Sequence, residues 1–457
     1  VTEESQAGAR PLRGRIRRGR AGASDGVDRE GRRLIVGVST VTATAMVSNA
    51  TFNYVITPLI QDLQATESQQ SLLRQLPSIG ALLVIFLAGV LGTRIGPRRF
   101  LIGSALLMGL GYAMVLVAPA MPVVSLGLLL GSVGQQGLFV VVIGLLSAGL
   151  TTPSARATGF STLAIVTPLV YIVGPVVAGG LIGVTGWRVV IALWVLSAGA
   201  AAVSAVRLLP ADDRAPADDP TPADDPTPAA TGELWTPALA GFALACVVQC
   251  INNISTDGIT GTATLVWLGA GILATLVLVV LMRRLSQPSL DIAVLRHGGF
   301  RLLLVVVLLV PFAALWYYFT IGLQYVYGYT ALEAAIIMVP AELMAIAGAW
   351  WSGRLMTSRG IRFTGTLALL VMSLSLFLTT TQTVTMPLVL SLLIVCLYSA
   401  ALTGANAPVT TSIMNLAAKG AEGSAAAFRG AAGSLGNAVG VVMMSTLVFA
   451  IFEASLT

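Results

Sequence analysis

The sequence predicts an all-α polytopic membrane protein made of two pseudo-symmetric helical bundles, and three observations carry that expectation. Of 457 residues, 56% are hydrophobic and only 10% charged, less than half the charge of an ordinary soluble domain. The apolar residues arrive in nearly uncharged blocks of bilayer-spanning length. A glycine–arginine loop also occurs twice, once early and once late in the chain, as a duplicated unit would leave it.

Reading the apolar runs between polar breaks gives thirteen transmembrane helices. They lie at 34–60, 73–93, 100–118, 122–150, 156–184, 187–208, 234–253, 260–282, 301–327, 332–356, 361–381, 386–414 and 423–451. Residues 1–33 form a basic arm, too arginine-rich for a signal peptide, and the block after it is too long for a signal core. The first span is therefore expected to stay as an anchor.

Charge placement tests this topology independently, because Lys and Arg favour the cytoplasmic side. Nine arginines from Arg10 to Arg33 put the N-terminus inside. Alternate loops then carry Arg94, Arg98 and Arg99; Arg156; Arg207 and Arg214; Arg283, Arg284, Arg296 and Arg301; Arg354, Arg359 and Arg362; and Lys419. That places 23 of the 26 basic residues inside. Only Arg74 and Arg188 fall near the outer face. Arg429 sits inside the last span, six residues from its inner end, where it is expected to snorkel to the interface. The membrane thus accounts for a pI near 9.5 without nucleic acid. The odd span number puts the C-terminus outside, and the plasma membrane is the expected location.

Between spans six and seven, residues 209–233 repeat Asp pairs amid proline (Asp212/Asp213, Asp218/Asp219, Asp224/Asp225). Such a segment cannot bury a core and reads as an extended linker. The chain therefore divides into the arm, a six-helix bundle over 34–208, the linker, a helix pair over 234–283, and a second bundle over 284–457. Cys246, Cys250 and Cys396 all lie in apolar blocks, as small packing residues rather than disulfide partners. The only histidine, His297, lies in a charged loop. With no metal-ligand cluster, paired carboxylates or nucleophile motif, no cofactor is expected and an enzyme is the least favoured class.

The first repeated loop runs Gly89-Val90-Leu91-Gly92-Thr93-Arg94-Ile95-Gly96-Pro97-Arg98-Arg99 and the second Gly353-Arg354-Leu355-Met356-Thr357-Ser358-Arg359-Gly360-Ile361-Arg362. Both have glycines seven apart, a Thr midway, and an Arg two residues after the second Gly. The first Gly permits close helix approach, the second a sharp turn, and the arginines hold the loop at the inner surface. This pattern resembles the signature loop of the major facilitator superfamily. Gly174-Pro175-Val176-Val177-Ala178-Gly179 resembles that superfamily's antiporter motif, in the form G-P-x-x-G-G. Gly186-Trp187-Arg188, then Pro288, Leu290-Asp291, Leu295-Arg296 and Phe300, and later Leu323-Gln324-Tyr325, Gly328-Tyr329, Leu332-Glu333-Ala334 and Pro340, resemble the 14-span drug:proton antiporter branch.

The resemblance implies a major facilitator fold, a monomer in the lipid bilayer that exports small hydrophobic or amphipathic compounds by alternating access, in exchange for protons. It also implies a second half of six helices, of which spans nine to thirteen supply five. A last helix is then expected to be missing, leaving one side of that half uncovered. A transport-inactive sensor or scaffold, and an importer, stay open as alternatives. The branch's coupling residues are replaced: Asn49 stands where Asp is usual, Val133 where Arg is usual beside Gln136-Gly137, and Thr93 and Thr357 where the loop acid belongs.

Ionisable groups inside spans are expensive and mark function. Glu342 is the one acid well inside a span, on a face with Ala335, Met338, Ala345 and Ala349. Burial there disfavours its charged form, which suits a proton carrier. A hydrogen-bonded structural Glu is the alternative. Asn49, Asn53, Gln75, Gln135, Gln136, Gln324 and Asn406 are candidate substrate ligands, although neutral amides also serve as interhelix glue. Trp316 and Tyr317 are candidates for stacking on a substrate. Gly89, Arg94, Gly96, Arg98, Gly174, Pro175, Gly179, Gly353 and Gly360 are read as conformational positions.

Overall fold

The computed structural model describes residues 28–150, 152–210, 234–284, 292–310, 315, 319, 322–323, 327–329, 331–382, 386–417 and 421–456. The N-terminal arm's first 27 residues and most of the acidic linker lie outside them. All regular structure among the described residues is helical. Thirteen α-helices follow in order: α1 (Arg29–Asp62), α2 (Glu67–Ile95), α3 (Pro97–Leu116), α4 (Met121–Gly149), α5 (Pro153–Thr185), α6 (Trp187–Leu208), α7 (Trp235–Asp257), α8 (Thr262–Arg284), α9 (Gly298–Leu309), α10 (Ala331–Arg359), α11 (Ile361–Thr379), α12 (Leu388–Leu416) and α13 (Glu422–Leu456). Eleven are long and apolar enough to cross a membrane, by length and composition, and α9 is a shorter apolar helix. The ninth predicted span, 301–327, is described continuously only to residue 310.

Local chemistry sets the helix ends. Asp28 caps α1 by accepting from the Gly31 N–H at 2.7 Å, and Thr66 and Gln69 form a reciprocal capping box at the start of α2. Three junctions consist of one glycine each. Gly96 joins α2 to α3, Gly186 joins α5 to α6, and Gly360 joins α10 to α11. The two glycines of the repeated loops have φ of 97° and 88°, a left-handed geometry that side chains resist. The duplicated sequence thus builds a duplicated corner.

Within the first bundle α3 packs on α4 and α6, α2 on α4, and α1 on α5 and α6. Within the second, α12 is central and touches α9, α10, α11 and α13. Two seams join them: α5 against α10 and α12, and α2 and α4 against α13. Helix α7 lies over α2 and α13, and α8 packs on α7. Outward residues are apolar, as on α8 (Val266, Leu273, Val280) and α11 (Leu370, Leu374, Phe377), all more than half exposed. Apolar surface on that scale fits lipid and not water. His297 is exposed in its loop, and the three cysteines are free and buried.

Candidate functional site

A cavity of about 430 Å³ opens between the bundles. One wall is α5, with Ala164, Thr167, Pro168 and Tyr171. The others come from α9 (Val307, Val310), α10 (Glu342, Ala345), α12 (Ser399 to Val409) and α13 (Arg429, Gly433). Most of the lining is apolar, with its charge confined to Glu342 and Arg429.

Glu342 faces this space, while Met338, Ala345 and Ala349 on the same helix are buried against neighbours. The side chain of Ala335 lies outside the described residues. Among the described residues Glu342 takes no hydrogen bond or salt bridge, and Arg188–Asp62 is the ion pair found. Glu342 thus stands on the cavity wall with no hydrogen-bond partner among the described residues.

Arg429 has partners that the sequence reading did not foresee. Its Nε donates to Thr410 Oγ1 at 2.8 Å, and a terminal nitrogen donates to Asn406 Oδ1. Thr410 also donates to Asn406 Oδ1 at 3.2 Å. Helix α12 therefore holds the guanidinium in the cavity. One turn of α13 alone could not have shown this, because both partners lie about twenty residues upstream on another helix.

A second cavity, about 230 Å³, lies within the first bundle and is lined by Ser48, Asn49, Phe52, Tyr112, Gln135, Tyr171 and Trp194, among others. Three of its polar side chains hydrogen-bond to α1. Tyr112 Oη donates to Ser48 Oγ at 2.8 Å, Gln135 Nε2 to the Ala45 carbonyl at 2.6 Å, and Trp194 Nε1 to Thr51 Oγ1 at 2.7 Å. Tyr112 and Trp194 pack edge to face at 5.1 Å. Tyr171 lines both cavities and forms the wall between them.

The structure thus gathers Glu342 and Asn406 in the larger cavity, and Asn49 and Gln135 in the smaller. Gln75 and Gln136 line neither; the Gln75 carbonyl instead accepts from Gln249 Nε2 at 3.5 Å. The side chain of Asn53 and all of Trp316, Tyr317 and Gln324 lie outside the described residues. Tyr171, Thr167, Ser399 and Arg429 are cavity residues the sequence reading did not select.

The repeated loops sit where the bundles touch. A Cβ on Gly89 would lie 2.5 Å from the Gly423 carbonyl oxygen, across the α2–α13 seam. A Cβ on Gly353 would lie 2.7 Å from Ser161, across the α10–α5 seam. Arg156 Nη1 on α5 donates to Asn415 Oδ1 on α12 at 2.7 Å at this same end. Arg98 donates to the Val206 carbonyl and so ties its loop to the end of α6. Arg94 lies in the last turn of α2, beside the same loop. On α5, Gly174 allows approach to Ala50 and Thr51 of α1, and Pro175 sits inside a helix that continues past it. Gly179 has open space where a side chain would go, so close packing does not require glycine there.

The sequence profile described as Major Facilitator Superfamily matches residues 38–441. The chain belongs to this superfamily. This major facilitator protein is similar in structure to the human organic anion transporter MFSD10 (TETRAN), with a TM-score of 0.66, 16% identity, and coverage of 90% of this chain and 92% of that one. The E. coli fucose:proton symporter FucP gives 0.60 at 13% identity, with 91% and 92% coverage. The proton:xylose symporter XylE gives 0.57 at 16%, with 93% and 90%. Such identities speak for the fold. Comparison with curated protein sequences gives no match. Family and fold together make this a multi-pass secondary transporter that carries a small molecule, rather than an enzyme.

Proposed function

We propose that this transporter exports small hydrophobic or amphipathic compounds in exchange for protons, and that it belongs with the 14-span drug:proton antiporters. The helix pair α7–α8, which follows six helices and precedes five more, supports that placement and the division into bundles over 34–208 and 284–457. Glu342 is the proton carrier in this reading. The observation that carries it is the position of a carboxyl, with no hydrogen-bond partner among the described residues, in a mostly apolar inter-bundle cavity. Substrate and proton exclude one another there, and rocking of the bundles about their seams presents the site to each side in turn. The chain works as a monomer, because each half supplies walls of one cavity.

Proteoliposomes test this reading. An outward-directed flux of fluorescent amphipaths should rise with an imposed pH gradient, and Glu342→Gln should remove that dependence. Flux indifferent to the gradient, or unchanged in Glu342→Gln, would refute the coupling role.

A further inference from the structure

The two charges of the large cavity are far apart, and the helix register shows by how much. Ser352 Oγ donates to the Gly404 carbonyl at 2.7 Å, and Gly348 meets the backbone of Ala400. Both pairs have the same sequence offset, so α10 and α12 run parallel with Ser352 level with Gly404. Asn406 is then level with Arg354, twelve residues beyond Glu342. At 1.5 Å per residue that is roughly 18 Å along the axis. The Gly353–Ser161 contact gives the same ruler on α5, where Tyr171 falls level with Glu342. The cavity is therefore long, with Glu342 and Tyr171 towards one end and Arg429, Asn406 and Thr410 at the other.

At the arginine end nothing neutralises the charge. Arg429 is held only by a neutral amide and a neutral hydroxyl, and no carboxylate of the described residues pairs with it. The acid in the same cavity is too distant along the axis to compensate it. Arginine keeps its proton under all ordinary conditions and offers five donors, of which Asn406 and Thr410 occupy two. A half-buried guanidinium with donors to spare and no described counter-charge attracts an anionic ligand. Between the two poles the lining is mostly apolar, with Val307, Val310, Leu402 and Ala405 on its walls beside the hydroxyls of Thr167, Ser399 and Thr403.

We infer that Arg429, oriented by Asn406 and Thr410, anchors the anionic headgroup of the transported compound, so that the substrate is an elongated lipophilic anion whose apolar body lies along the cavity towards Glu342. The inference rests on the proposed function in one respect, that this cavity is the transport site. It separates two tasks: the headgroup is held at one end, and the proton is exchanged at the other.

The test uses a dansyl-tagged undecanoate, its methyl ester, and a trimethylammonium analogue of equal length, titrated into the full chain in lipid nanodiscs. The carboxylate should bind at least about tenfold tighter than either analogue. Arg429→Gln should abolish that preference while leaving ester binding in place, and Arg429→Lys should retain most of it. Thermal unfolding of each variant separates a lost anchor from a lost fold. If Arg429→Gln does not fold, the wild-type headgroup preference and its retention in Arg429→Lys decide the matter. Equal binding of the three probes by the wild type, or an unchanged preference in folded Arg429→Gln, overturns the inference. Should the preference be absent while Glu342→Gln still uncouples transport, the anchor falls and the exporter reading stands. Should neither substitution alter binding or flux, both fall.

Discussion

Gly89 of α2 and Gly423 of α13 approach so closely that neither has room for a side chain, because each would meet the other's carbonyl oxygen. Gly353, at the matching place in the second copy of the loop, meets Ser161 of α5 across the other seam. The duplicated motif thus acts twice, holding opposite bundles together at the basic-loop end of the molecule.

Replacing Gly89 by Leu should force that seam apart. Overpacking of a tight contact costs about 1–3 kcal/mol, enough to shift an open–closed balance by roughly 5- to 150-fold. Spin labels on cysteines introduced at Thr158 and Ser358, both exposed at that end, would report it as a longer mean distance. Because the native cysteines are buried, labelling should be selective. An unaltered distance distribution would show that the glycines do not set the closed state.

Arg156→Ala removes the hydrogen bond to Asn415 that bridges α5 and α12. A bond of this kind is worth about 0.5–1.5 kcal/mol net, and somewhat more when one partner is charged. The same label pair should move in the same direction as in Gly89→Leu, by a smaller amount. Asn415→Ala in the Arg156→Ala background should add little.

Tyr112→Phe leaves the buried Ser48 hydroxyl without the donor it now accepts from, and removes a contact to Gln135. The expected loss is about 1–3 kcal/mol of stability in the first bundle, seen as a lower unfolding midpoint in detergent. Proton coupling should survive, since Glu342 belongs to the other bundle. Loss of coupling without loss of stability would instead place Tyr112 in the transport cycle.

Exchange of one proton at Glu342 fixes a sign and a slope for pH. Any substrate that displaces the Glu342 proton should lose affinity as pH falls, by up to about tenfold per unit, with reciprocal proton release on binding. The other titratable or charged groups facing this cavity are Tyr171 from α5 and Arg429 from α13. Neither changes charge between pH 5 and 8 at its ordinary value. Equilibrium binding across that interval should therefore go flat in Glu342→Gln.

Much of the architecture was legible because the bilayer imposes it. Apolar block length gave most of the helices, and Gly96 and Gly360 gave the corners. The site was legible only in part. Glu342 stood out because an ionisable group inside an apolar block is expensive. Gln135 and Asn49 looked like ligands by type, yet Gln135 is committed to a backbone carbonyl and both sit in a separate, smaller cavity. Tyr171 carried no signal at all, as one aromatic among many apolar neighbours.

The sequence by itself determined that this chain crosses a membrane many times, where it turns, and that its two halves share a loop. Those properties follow from each segment's own transfer energy and local backbone geometry. Tertiary structure alone decided which polar groups face one another. Arg429 became a cavity residue only through Asn406 and Thr410 of a neighbouring helix, and its distance from Glu342 is a matter of register between helices. Pairings across helices depend on rotation and offset, which no single segment encodes.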